Sequence, residues 1–161
     1  MIMSANINLQ NTLEKLFTEI IAGFPHLFFL GLKKDNKSSL YTFLVDGDAS
    51  VTLKEITKLS RMLSAGVDEL LPDDDNAFRM EVSTPGADKP LMEARQYPKH
   101  IGRTLQVKTE AAQNKGKLVE ATAAFVMLEI PAEKKSKDKN PQLVKIPFED
   151  IIEAKIIISF K

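Results

Sequence analysis

Apolar positions recur at two different spacings along this chain, one in each half. Over residues 9–21, Leu9, Leu13, Leu16, Phe17, Ile20 and Ile21 fall at helical intervals with Asn11, Glu14, Lys15 and Glu19 between them. Gly23 and Pro25 end that helix. Residues 27–33 form an almost continuous apolar, aromatic run, short enough for a buried strand, and a polar turn over Lys33–Ser39 leads into a second strand over Ser39–Val45. A second helix opens at Thr52, where Glu55 three residues later completes a capping box. Leu53, Ile56, Leu59, Leu63 and Val67 mark its expected buried face. Pro72 and the Asp73–Asp75 run interrupt the chain before a third strand over Ala77–Val82. The order predicts an N-terminal α-β-β-α-β domain with helices against one sheet face, an α+β arrangement.

After Leu91 the pattern becomes one of short strands: Thr104–Thr109, Gly116–Glu120, Ala123–Ile130, Leu143–Phe148 and Lys155–Phe160. Five short strands with turn signals between them predict a small closed or nearly closed β-barrel, with Phe148–Ile152 as a single helical turn before the last strand. The stretch Pro131–Gln142 carries Lys134, Lys135, Lys137 and Lys139. It is too charged to pack and too long for a tight hairpin, so it is expected to be a mobile loop attractive to phosphate backbones.

Between the two patterns stands Glu-Val-Ser-Thr-Pro-Gly-Ala-Asp-Lys-Pro-Leu, residues 81–91. Pro85 pre-sets its φ for the first corner of a turn, and Gly86 is expected to supply the positive φ of a type II turn. Asp88 can bond back to its own backbone, and Pro90 biases Lys89 toward an extended conformation. Ser83, Thr84, Pro85, Gly86, Asp88 and Pro90 therefore read as a stiff elbow between domains 1–90 and 91–161, with Lys89 its candidate partner contact.

Charge changes sign at the same place. Residues 1–90 carry 9 Lys+Arg against 13 Asp+Glu, and residues 91–161 carry 13 against 9, which is −4 and +4. The basic half is the candidate for RNA. Lys89, Arg95, Lys99, Arg103, Lys108, Lys115 and Lys117 are its candidate contacts; gathered on one face they favour RNA or subunit binding. Scattered beside an exposed apolar groove, they would favour an interaction adaptor whose barrel binds a protein, with no nucleic-acid role. Tyr97 is the only aromatic residue near this cluster, which argues against sequence-specific single-strand recognition.

The remaining chemistry is sparse. The chain has no cysteine, so thiolate metal sites and disulfides are excluded. His26 and His100 stand in no triad or metal-pair spacing, and Gly31, Gly47 and Gly66 are too isolated for a phosphate loop. Three adjacent aspartates at 73–75 do not have the alternate spacing of a calcium loop. A protein without catalysis, metal or cofactor is expected. No apolar run reaches the roughly 20 residues of a membrane span, and the start lacks a signal-peptide layout. A cytoplasmic monomer that does not engage membranes is the expectation.

Val82-Ser83-Thr84-Pro85-Gly86-Ala87-Asp88-Lys89-Pro90-Leu91 resembles the junction motif Val-Ser-Ser-Pro-Gly-x-Asp-Arg-Pro-Leu of the bacterial ribosome maturation factor RimP family. Val51-Thr52-Leu53 leading to Leu59-Ser60-Arg61 is similar to the family's second helix, and His100-Ile101-Gly102-Arg103 to its approach to the barrel. Gly116-Lys117-Leu118 and Ile146–Ala154 resemble later barrel segments. Residues 24–50 fit least well, with Phe28, Phe29 and Leu30 where the family often has acidic residues, and the lysine-rich loop is an extension. The resemblance implies a C-terminal SH3-like barrel and a non-enzymatic role in maturing the small ribosomal subunit. It also implies binding to ribosomal RNA and, mainly through the barrel, to small-subunit ribosomal protein number twelve. Arg61 is expected to hydrogen-bond toward the Ser83–Asp88 elbow.

Overall fold

The computed structural model describes residues 2–35, 37–71, 78–86, 88–131 and 140–158. The chain divides into two compact units, Met1–Pro85 and Gly86–Lys161, so the division falls inside the elbow. The first unit contains helix α1 (Ile2–Ile21), strands β1 (Leu27–Lys34) and β2 (Leu40–Gly47), helix α2 (Leu53–Leu70) and strand β3 (Arg79–Ser83). The sheet order is β1-β2-β3, with β1 antiparallel and β3 parallel to β2. A parallel pair needs a crossover, and α2 provides it.

Helix α2 begins as its sequence dictates: Thr52 Oγ1 accepts from the Glu55 amide while Glu55 Oε1 accepts from the Thr52 amide. Leu59, Leu63 and Val67 are buried, and Ile56 packs beside them. Leu53 does not join that face; it is 81% exposed. It precedes Leu59 by six residues, which at 3.6 residues per turn puts it about 120° round the helix. Helix α1 starts earlier than the 9–21 periodicity indicates and buries Leu13, Phe17 and Ile21. Alternate β2 residues Tyr41, Phe43 and Val45 share one core with both helices, and Phe17 lies 4.9 Å from the rings of both Phe29 and Phe43. Strand β1 accommodates an irregularity between Phe29 and Gly31, where Gly31 takes a φ of 151°. The Asp73–Asp75 run lies outside the described residues.

The second unit contains β4 (Thr104–Lys108), β5 (Gln113–Ala121), β6 (Phe125–Ile130), β7 (Gln142–Pro147) and β8 (Glu153–Ile156). They form one antiparallel sheet in the order β7-β6-β5-β4-β8. All five strands contribute to one core: Leu105 and Val107, Leu118, Val126 and Leu128, Ile146, and Ala154. The expected closure into an SH3-like barrel is not found, since among the described residues no ladder joins β7 to β8. Beyond β7 the chain turns through a 3₁₀ segment, Phe148–Asp150, and the Ile152 amide bonds to the Lys108 carbonyl, delivering β8 to β4. Pro147 ends β7 without an amide to extend a ladder.

Two further 3₁₀ turns, Ala94–Gln96 and Pro98–His100, occupy the stretch between elbow and sheet. Gln96 is buried there, with its Oε1 accepting from the Met92 and Glu93 amides at 2.6 and 2.9 Å. Gly102 turns the chain into β4 with a φ of 98°, which disfavours any residue bearing a Cβ. Among the described residues no helix is long and apolar enough to cross a membrane.

Candidate functional site

Strand alternation decides where the cationic residues point. Leu105 and Val107 face the core, so Thr104, Gln106 and Lys108 face outward. Residues directly opposite in the ladder share a face, and Thr104 pairs with Lys117, Gln106 with Lys115 and Lys155, and Lys108 with Gln113 and Glu153. Lys108, Lys115, Lys117 and Lys155 therefore stand together on the outer face of β5, β4 and β8, all exposed. Exposed Arg103 precedes β4 directly. The face is not purely basic. Glu153 pairs with Lys155 at 3.1 Å, and Glu129 stands opposite Lys117. An exposed pair of this kind contributes little to stability.

A concavity of about 620 Å³ between Thr104, Lys115, Lys117 and Glu129 is bordered by Pro131 and Pro141. Those prolines flank the segment containing Lys134, Lys135, Lys137 and Lys139, which lie outside the described residues. By chain connectivity, that segment starts and ends beside the basic face.

The other candidates are placed elsewhere. Arg95 and Lys99 belong to the 3₁₀ segment anchored by Tyr97 on the core side of the sheet. Tyr97 is itself buried, edge-on to Phe148 at 5.0 Å, and is not available for stacking with a base. Burial raises its phenol to a pKa of about 12, so it stays protonated near neutral pH. Lys89 is exposed at the end of a turn in which its amide bonds to the Gly86 carbonyl at 3.0 Å.

That turn corrects the reading of the elbow. It spans Gly86–Lys89, and Gly86 does not adopt a positive φ, so no type II turn is centred on Pro85 and Gly86. A Cβ on Gly86 would instead meet Asp88 Oδ1 at 2.7 Å. After Pro90, the Leu91 amide bonds to the Ala154 carbonyl at 2.8 Å, which ties the segment to β8. Ser83 Oγ donates to the Thr84 carbonyl. Arg61 is exposed on α2, and among the described residues no hydrogen bond joins it to Ser83 or Thr84.

Lys155 is an outer-face cation that the sequence reading did not single out, although Glu153 and Lys155 alternating with Ala154 and Ile156 carry the signal. Among the described residues no group of three or more His, Asp or Glu side chains could hold a metal ion. The arrangement can bind extended anionic surfaces through several exposed ammonium groups.

The model of the RimP N-terminal domain matches residues 24–88, including the stretch where the resemblance is weakest. A protein of Christiangramia forsetii named ribosome maturation factor RimP is 32% identical over 157 residues, covering 94% of this chain and 99% of that protein. A protein of the same name from Flavobacterium psychrophilum is 32% identical over 152 residues, 91% of this chain and 96% of its own. Another from Cytophaga hutchinsonii is 31% identical over 127 residues, covering 73% and 76%.

Proposed function

The chain belongs to the RimP family, and on that premise we propose that it matures ribosomes by binding the small ribosomal subunit through the outer face of its second unit. It is a ribosome maturation factor without a catalytic step. The observation that carries the reading is the near full-length agreement with relatives named for ribosome maturation. The outer-face lysines support an RNA contact, because several ammonium groups held by one rigid sheet can meet successive phosphates. Binding one arrangement of ribosomal RNA and protein better than its alternatives shifts the population toward it, which is sufficient for an assembly role.

In this reading Lys108, Lys115, Lys117, Lys155 and Arg103 contact ribosomal RNA, as do Lys134, Lys135, Lys137 and Lys139. Small-subunit ribosomal protein number twelve is the protein partner of the second unit. The proline-rich Ser83–Pro90 segment is the joint between the two units, and the protein acts as a cytoplasmic monomer. The test is sedimentation with separated ribosomal subunits across a salt series. Binding to the small subunit that weakens steeply with salt supports the reading, and no small-subunit binding at low salt overturns it.

A further inference from the structure

A groove of about 570 Å³ lies along β7, between Val144, Lys145 and Ile146 on one side and the β4–β5 turn on the other. No residue of β6 lines it, so it follows the side of β7 that has no neighbouring strand among the described residues. The backbone on that side is unpaired in a regular pattern. The Phe148 amide bonds to the Ala124 carbonyl, and the β6–β7 register continues through Val126–Ile146 and Leu128–Val144. Hydrogen-bonded pairs alternate in an antiparallel ladder, so Ile146 and Val144 exchange bonds with β6. The amides and carbonyls of Leu143 and Lys145 then point to the open edge.

The groove is also acidic. Glu110, Glu149 and Asp150 line it and are exposed. Lys145 also lines the groove, one cation against three carboxylates, and its ammonium is held over the Phe125 ring of β6, 4.2 Å from the centroid. An open strand edge recognises an extended backbone, while the flanking side chains select its charge.

We propose that β7 takes an extended, basic peptide segment of a protein partner as an added strand. This goes beyond the RNA-binding reading, since phosphates and a basic segment require opposite charges and therefore use different surfaces of the unit. A second copy of the chain is a poor occupant. Pairing two β7 edges would bring both sets of Glu110, Glu149 and Asp150 together.

The probe is a labelled synthetic peptide of alternating Val and Lys, titrated against the full chain by fluorescence anisotropy at low salt. N-methylation of its alternate, β7-facing amides is expected to weaken binding about tenfold, the consequence of losing a few main-chain hydrogen bonds. A Val–Glu peptide should bind at least as poorly, and so should Glu149→Lys/Asp150→Lys protein with the Val–Lys peptide. Leu143→Pro removes an outward amide without removing a β6–β7 bond, and should also weaken binding. Amide shifts of Leu143 and Lys145 in wild-type protein provide a readout that needs no variant. Equal binding of the N-methylated peptide would reduce the effect to charge attraction and overturn the proposal. Peptide-independent dimerisation lost in Leu143→Pro would overturn it by naming a second copy as occupant. The titration contains no ribosome, so its failure is separate from failure of subunit binding.

Discussion

The first unit covers its sheet with helices, whereas the second folds a larger sheet over its own core. In the first, α1 and α2 supply Leu13, Phe17, Leu59 and Leu63 against Tyr41, Phe43 and Val45, and aromatic rings meet at the centre. In the second, five strands enclose mainly aliphatic residues, with Tyr97 and Phe148 the one close ring pair among the described residues. Strand faces that are not covered by helices remain available to partners. The unit with the positive balance also presents an outer sheet face bearing exposed lysines and an edge strand, β7.

The largest effects that would break this comparison are in the cores. Phe43→Ala is expected to cost the first unit about 3–5 kcal/mol, and Leu128→Ala to cost the second about 2–5 kcal/mol. The chain's two tyrosines report separately, Tyr41 from the first unit and Tyr97 from the second. Thermal unfolding followed by tyrosine spectroscopy should show each substitution shifting its own unit. A common shift of both signals would mean that the units do not melt independently.

Glycine and polar contacts come next. A Cβ on Gly116 would meet the Glu129 carbonyl oxygen at 2.7 Å, so Gly116→Ala must part β5 from β6, at about 1–3 kcal/mol. Gly86→Ala meets the end of the Asp88 side chain, which can swing away, and should stay within about 0.5 kcal/mol. Chemical denaturation of both variants checks the contrast. Equal losses would restore a conformational requirement at Gly86. Gln96→Leu leaves two amides without their acceptor and should cost the second unit about 1–3 kcal/mol, against about 1 kcal/mol for Thr52→Ala in the first.

The smallest expected effect is a difference in acid response. Hydrogen bonding from His26, and then from the Thr52 amide, holds the Glu55 carboxyl below its ordinary value. The stabilisation is complete above the ordinary carboxylate range and is lost as pH falls through the lower folded value. Asp35 is shifted the same way by the Lys37 amide and the Ser38 hydroxyl. Melting of the first unit followed from about pH 6 to about pH 3 should fall less steeply in Glu55→Gln than in wild type. Identical slopes would remove Glu55 from the account.

Local chemistry was legible where one residue type has one physical use. Thr52 and Glu55 announced a capping box, and Gly23 with Pro25 announced a helix end. Leu53 looks like part of the buried face by its proximity to Ile56 and Leu59, while the helix angle separates it from Leu59. Pro85-Gly86 suggests a positive φ at Gly86, yet Gly31 and Gly102 adopt one instead, because the need for such a φ arises from the chain on both sides. Tyr97 looked like a surface aromatic among cations, yet the two 3₁₀ turns that carry it inward have no strong periodic signal. On the outer face, Lys108, Lys115 and Lys117 stand out in the sequence, but their union with Lys155 depends on the β4–β8 ladder, a long-range pairing.

The central claim is that the outer face of β5, β4 and β8 meets ribosomal RNA. Its most direct test is the salt dependence of small-subunit binding for wild type and for Lys108→Ala/Lys115→Ala/Lys117→Ala. Each lost phosphate contact should reduce the slope of log affinity against log salt by about 0.7–0.9, so the triple variant should lose about 2 or more. An unchanged slope and affinity, with folding intact, would contradict the account.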